Sequence, residues 1–198
     1  MSKPNVGMLY PVWAPFNSHT DGAMPTYGTG RVVQEARNAT VNKQYADNPL
    51  YGDDHIVDDD NGLIGLTMTF ESTGLSDEDR VAILGEEANA NTETGGQWVS
   101  DNETPYGGFG YIRKMRDNGT RTYEAYLTLK IKFQEESQTT ATKEGQITWN
   151  TPTLNGRATS LFVDSSDKQR FQLHRSFETI AAAKAWLNGL LNISAVTT

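Results

Sequence analysis

The sequence predicts a mainly β domain, a sandwich or barrel-like packing of strands with one or two flanking α-helices and extended loops. Three observations carry that expectation. From Arg121 to Gln134, Tyr123, Ala125, Leu127, Leu129, Ile131 and Phe133 alternate with Thr122, Glu124, Tyr126, Thr128, Lys130 and Lys132, the period of a strand with one buried face. Weaker copies of the same alternation recur along the chain, giving about six strands beside only two helical patterns, the balance of a sandwich flanked by a helix. Four Trp, eight Tyr and seven Phe in 198 residues supply enough bulky apolar material for one well-buried core and argue against wholesale disorder.

Taken in order, residues 1–29 read as an N-terminal arm: MSKPNVGMLYPVWAPFNSHTDG is broken by three prolines and holds no continuous apolar run. That stretch reads as neither a signal peptide nor a membrane span, so the expectation is a protein made and kept in the cytosol unless lysis releases it. Arg31 to Asn42 is a long, weaker strand, with Val33, Ala39 and Val41 on one parity. Gly62 to Glu71 is a better one, with Ile64, Leu66, Met68 and Phe70 on its buried face. In LSDEDRVAILG, Ser76 is an N-cap, Asp77, Glu78 and Asp79 fill the first turn and Gly85 is the stop, with Val81 and Leu84 expected to face the sheet. Glu86 to Glu103 reads as a loop. TPYGGFG, Thr104 to Gly110, sets three glycines among aromatics, the mark of a bulge or a close backbone approach. It lacks the spacing and the following helix of a phosphate loop.

Asn118-Gly119 predicts a tight hairpin turn that pairs Tyr111–Arg116 with the Arg121 strand. Gln134 to Glu144, QEESQTTATKE, is a second loop; Gln146 to Asn150 and Phe171 to Phe177 are short strands. Thr179 caps a helix to Leu190 whose stripe is Ile180, Ala183, Trp186, Leu187 and Leu190. Residues 30–190 therefore form one domain, and 191–198 a C-terminal tail.

A formal charge of −8 and a pI near 4.9 disfavour a protein that grips nucleic acid through phosphates. The absence of cysteine excludes a disulfide scaffold, thiolate catalysis and cysteine-ligated metal. His19, His55 and His174 are scattered, no serine sits in a nucleophile elbow, and no HExxH or Walker sequence occurs, so no catalytic residue is assigned. Glu86-Glu87 offers a carboxylate pair with no apolar pocket to raise a pKa. The sequons at Asn38, Asn102, Asn118 and Asn192 read as coincidences of a Thr- and Asn-rich chain.

One stretch stands apart. NPLYGDDHIVDDDNG, Asn48 to Gly62, gathers Asp53, Asp54, Asp58, Asp59 and Asp60 around Tyr51 and His55. An EF-hand needs glycine at the sixth position and glutamate at the twelfth, between helices. Counting from Asp58 puts Gly62 fifth, and counting from Asp54 puts Asp59 sixth. A calcium site of another kind stays open. Without a cation, such a loop repels itself and projects toward solvent or a basic partner, and we read it as a contact loop rather than a metal or cofactor site.

The ordered set NKQYADNPLYGDD, SDEDRVAILG, PYGGFGYIRKMRDNGTRTYEAYLTLKIKF, EGQITWNTPTLNGRA and FETIAAAKAWL resembles the major tail protein, or tail tube protein, of long-tailed, non-contractile bacteriophages. The similarity runs from about Gly30 to Leu187. It implies a β-sandwich with a flanking helix that self-assembles into hexameric rings, stacked as a virion conduit through which DNA passes from capsid to host. It further implies assembly in the host cytoplasm with other tail proteins such as a tape measure and a tail terminator, no membrane, no enzyme activity and no cofactor. In that family a long hairpin between early strands reaches the neighbouring ring, and Ala46 to Asn61 occupies that place. Two rival expectations are another tail component on the same fold, a terminator or distal tail protein, and a calcium- or carbohydrate-binding sandwich that uses exposed aromatics such as Tyr126.

Overall fold

The computed structural model describes residues 5–33, 36–53, 55–59, 61–89, 96–101, 103–117, 119–135 and 151–194. Its strands are β1 (Asn5–Ser18), β2 (Thr26–Tyr27), β3 (Arg31–Val32), β4 (Ala36–Tyr45), β5 (Pro49–Gly52), β6 (His55–Asp59), β7 (Leu63–Ser72), β8 (Glu87–Ala88), β9 (Gln97–Trp98), β10 (Gly107–Asp117), β11 (Thr120–Glu135), β12 (Thr153–Ala158) and β13 (Gln172–Phe177). The helices are α1 (Asp77–Asp79), which runs on as a π-helical turn over Arg80–Leu84, and α2 (Ile180–Leu190). One antiparallel sheet runs β2-β1-β10-β11-β12-β7-β4, with β13 beside β11 and β3 beside β1. The architecture is mainly β and sandwich-like, as expected. It is open, and among the described residues no ladder closes it into a barrel.

β11 explains how one sheet becomes two layers. Its first half pairs with β13, Tyr123↔Phe177 to Thr128↔Gln172, and its second half with β12, Ile131↔Ala158 to Glu135↔Leu154. Between them the register with β10 slips, from Phe109↔Thr128 to Gly107↔Ile131, a bulge that turns the side chains over. Ala125, Leu127 and Leu129 therefore pack in one core with Ala183, Leu187 and Leu191 of the α2 end. Ile131 and Phe133 pack in the other with Trp13, Met68, Phe70 and Phe109. The single buried face expected from Tyr123 to Phe133 is thus two faces, joined at the bulge.

The expected arm is the largest correction to the domain division. Residues 5–18 form β1, paired with β10 over almost its full length. Val12 and Ala14 lie in the α2-side core, and Trp13 in the other. A strand covered on both faces has no polar alternation to read, and Pro11 falls where the register slips between Leu9 and Val12, next to Tyr10 at φ 56, a position that needs no ladder N–H. The expected tail starts in the core too, since Leu191 and Ile193 are buried.

Local chemistry explains the remaining elements. The Asp117↔Thr120 pair closes the β10–β11 hairpin, with Gly119 at φ 89. The three glycines of β10 are close approaches: a Cβ on Gly107 would meet the Trp13 ring, one on Gly108 Tyr27 and Leu191, and one on Gly110 Leu187 and Val12. Ser76 Oγ accepts from Asp79 N at 3.1 Å, and Gly85 ends the turn at φ 77. Because that turn is π-helical, Ile83 is the residue buried in the core while Val81 is exposed, and the Ala82 carbonyl accepts from Trp13 Nε1 at 3.1 Å. Thr179 Oγ1 accepts from Ala182 N at 3.3 Å; Ala183 and Leu187 are buried, and Trp186 packs on Phe177. Part of the expected Glu86–Glu103 loop is the small β8–β9 ladder. Arg31 to Asn42 is two strands, β3 and β4, and the expected strand Gln146–Asn150 lies outside the described residues.

Candidate functional site

The aspartate stretch is a ribbon, not an irregular loop. β4 and β7 pair from Ala36↔Ser72 to Tyr45↔Leu63, Ala46 N donates to the Gly62 carbonyl at 2.8 Å, and β5 and β6 continue as a separate two-stranded sheet from Pro49↔Asp59 to Gly52↔His55. Aspartate is depleted in strands, which is why the sequence hides this pairing; the ladder itself uses main-chain groups. Tyr51 lies on β5, and His55, Asp58 and Asp59 on β6, while Asp53 occupies the turn at φ 46. That left-handed conformation suits Asp better than most side chains. His55 Nδ1 lies 3.2 Å from the Asp53 carbonyl and donates to it in the Nδ1-protonated tautomer. Asp54 and Asp60 lie outside the described residues.

Among the described residues no group of three or more His, Asp or Glu side chains is placed to hold a metal ion. Apolar side chains accompany the charge: Tyr45, Val57 and Ile64 are 55%, 59% and 65% exposed. Ile64, expected on the buried face of its strand, lies where the β4–β7 register slips between Gln44 and Tyr45. The sequence signal for this exposure was weak, because Gly65 was the only local sign of an irregularity.

The ribbon grows from a sheet whose outer face is strongly polar. Cross-strand register sets Asn42 against Thr67, Thr67 against Arg157, and Arg157 against Lys132; the next row is Thr40, Thr69, Asn155 and Gln134. Thr69 Oγ1 donates to Asn155 Oδ1 at 3.0 Å. An open concavity of about 730 Å³ lies over Thr67, Thr69, Lys132, Asn155 and Arg157, with Tyr106 at its side. Lys132 Nζ donates to Glu103 at 2.7 Å, and that bond holds the exposed Glu103 carboxyl below its ordinary range.

Other sequence candidates have structural partners. Glu86 pairs with Arg80 at 3.1 Å, and Arg80 also reaches Glu135. Tyr126 is not a free aromatic: it stacks between Tyr111 and His174, with ring centroids 5.3 and 5.4 Å away, and its hydroxyl donates to Glu124 at 2.9 Å. His19 Nε2 lies 3.1 Å from the Phe162 carbonyl. The histidines lie apart in the chain, His19 just past β1, His55 on β6 and His174 on β13.

Comparison with known protein families finds no match to this chain. Comparison with curated proteins finds none either. Among the described residues no helix is long and apolar enough to cross a membrane.

Proposed function

We propose that this chain is the structural subunit of a phage tail tube, assembling with copies of itself into hexameric rings that stack into a conduit for DNA. The observation that carries the reading is the β5–β6 ribbon. It forms a sheet of its own beyond the ends of β4 and β7, its sequence is rich in aspartate, and exposed Val57 on it and exposed Tyr45 and Ile64 at its base add apolar surface. A two-stranded hairpin alone is marginal in water, so a ribbon of this composition is completed by a neighbour. The ordered sequence resemblance supplies the kind of neighbour, another copy in a ring.

The polar sheet face suits a conduit wall. It offers hydroxyls and amides, with Glu71, Arg157 and the Glu103-bound Lys132 as its charged groups. Phosphate adheres to clustered, unpaired cations, and a wall of Asn, Thr and Gln offers few. A face of this composition is close to neutral and would neither grip DNA nor strongly repel it. In this reading the subunit has no catalytic role, and its other partners are tail components such as the tape measure and the terminator.

Negative-stain microscopy of the purified protein over a range of concentrations tests the proposal. Rings or tubes about the width of a duplex conduit are expected at high concentration. Persistent monomers at every concentration, with or without an assembly seed, overturn it.

A further inference from the structure

The β10–β11 ribbon carries the opposite charge. Residues 113–121 hold Arg113, Lys114, Arg116 and Arg121 against one acid, Asp117, in a chain of net charge −8. Strand parity places Lys114 and Arg116 on the same side of the sheet as Ile112, and Arg121 on the same side as Ala125, so the three cations share the face that α2 covers further along. Arg116 and Arg121 are direct cross-strand partners, and both are exposed. Arg175 of β13, opposite Ala125, extends the patch. Among the described residues Lys114, Arg116 and Arg121 are in no ion pair.

Like charges directly opposite on a strand pair destabilise it. An external anion placed against them would relieve that repulsion. The same chain carries a matching one: residues 47–60 contain Asp47, Asp53, Asp54, Asp58, Asp59 and Asp60 and no Lys or Arg. β5–β6 is a two-stranded sheet of its own, and the β10–β11 hairpin runs beyond its flanking strands β1 and β13 at the end that carries Arg116 and Arg121. We propose that the basic face of the β10–β11 ribbon receives the acidic β5–β6 ribbon of a second copy. The contact joins two different surfaces, so it is heterologous and repeats from copy to copy, building rings or stacks rather than a closed two-fold dimer. This inference rests on the self-assembly reading above and names the partner surface of the acidic ribbon.

Two charge-reversed proteins test it, Arg116→Glu/Arg121→Glu and Asp58→Lys/Asp59→Lys. Sedimentation of assemblies is measured for wild type, for each variant alone and for an equimolar mixture, with thermal melts as the fold control. Each variant alone is expected to need roughly tenfold more protein than wild type to assemble, because every ribbon contact becomes repulsive. The mixture is expected to recover assembly, because each acidic ribbon then meets a basic one. Wild-type assembly is expected to weaken between low and physiological salt. Wild-type tubes together with equal assembly by Arg116→Glu/Arg121→Glu overturn this inference and leave the tail-tube reading standing. Failure of the mixture to recover, with both variants folded, also overturns it. So does a short DNA duplex that binds wild type and not the arginine variant while assembly is unchanged, since the patch would then serve phosphate. Wild type that never assembles overturns both readings.

Discussion

Gly107→Ala tests the packing that joins the sheet to the π-helical turn. An ideal Cβ at Gly107 lies 2.2 Å from Trp13 Cζ2 and 2.5 Å from Cε2 and Cη2. Carbon atoms prefer separations of about 3.5–4.0 Å, so the indole must retreat by more than about 1 Å. It has little room to do so: Trp13 is fully buried, its Nε1 donates to the Ala82 carbonyl at 3.1 Å, and its ring packs on Phe133 at 5.8 Å. The Gly107 backbone is not left-handed, so the cost is steric and falls at the upper end of overpacking, about 3 kcal/mol. With a urea dependence of about 2 kcal/mol per molar for a small domain, the unfolding midpoint drops by about 1.5 M. Gly189→Ala is the control, since its Cβ meets nothing within 4 Å and alanine in α2 is expected to stabilise by about 0.5–1 kcal/mol. A Gly107→Ala midpoint within about 0.2 M of wild type would refute the close approach, and with it the placement of β1 against β10.

The other predictions concern the two cores and their hydroxyls. Tyr27→Phe removes a buried donor 2.7 Å from the Leu129 carbonyl and is expected to cost about 1–3 kcal/mol in urea unfolding, by leaving that carbonyl unpaired at the bulge. Leu129→Asp places an unpaired charge in the α2-side core and is expected to leave no folded protein by circular dichroism, whereas Lys130→Asp folds. The lysine change still carries a cost of about 1–2 kcal/mol, because Lys130 Nζ lies 4.7 Å from the Phe16 ring and 4.6 Å from that of Tyr106. Burial pushes the Tyr111 hydroxyl from 10.0 up to about 12; the folded form binds this proton more tightly, so its contribution is intact below pH 10 and is lost as pH rises through about 12. Melting temperature is expected to fall across that window and to fall less in Tyr111→Phe, with a residual fall expected from Tyr27 and Tyr126, which burial also shifts upward.

What was legible in the sequence obeyed local rules. The Asn118-Gly119 turn, the Ser76 and Thr179 caps, the Gly85 stop and the alternation of Leu66, Met68 and Phe70 depend on neighbours within a few residues, and each is present where expected, with only the conformation of Asn118 outside the described residues. What was hidden depends on packing from far along the chain. Val12, Trp13 and Ala14 form no alternating pattern because α2 covers one side and the second layer the other. The β11 bulge shows only in the register with β10. Aspartates in β6 suggested a loop because side-chain preference was read where main-chain pairing decides. The acidic stretch was visible as a charge run, while its basic counterpart was masked by strand alternation that assigned Lys114, Arg116 and Arg121 to a hairpin and asked no more of them.

The bulge in β11 ties these surfaces together. Before it, β11 belongs to the layer that α2 covers and that extends outward as the basic ribbon; after it, the same strand opens the polar layer of β12, β7 and β4, from which the acidic ribbon grows. A heterologous contact repeats regularly only if the two surfaces it joins keep a fixed relation within each subunit. Two layers held by loops alone would let that relation drift. A continuous strand shared by both cores resists it, because tilting one layer against the other disturbs the packing of Leu129 on one side and Ile131 on the other, both fully buried, in interiors that tolerate little change of shape. The bulge therefore does more than redirect side chains: it makes the angle between the two surfaces a property of the folded core, as the proposed contact between copies requires.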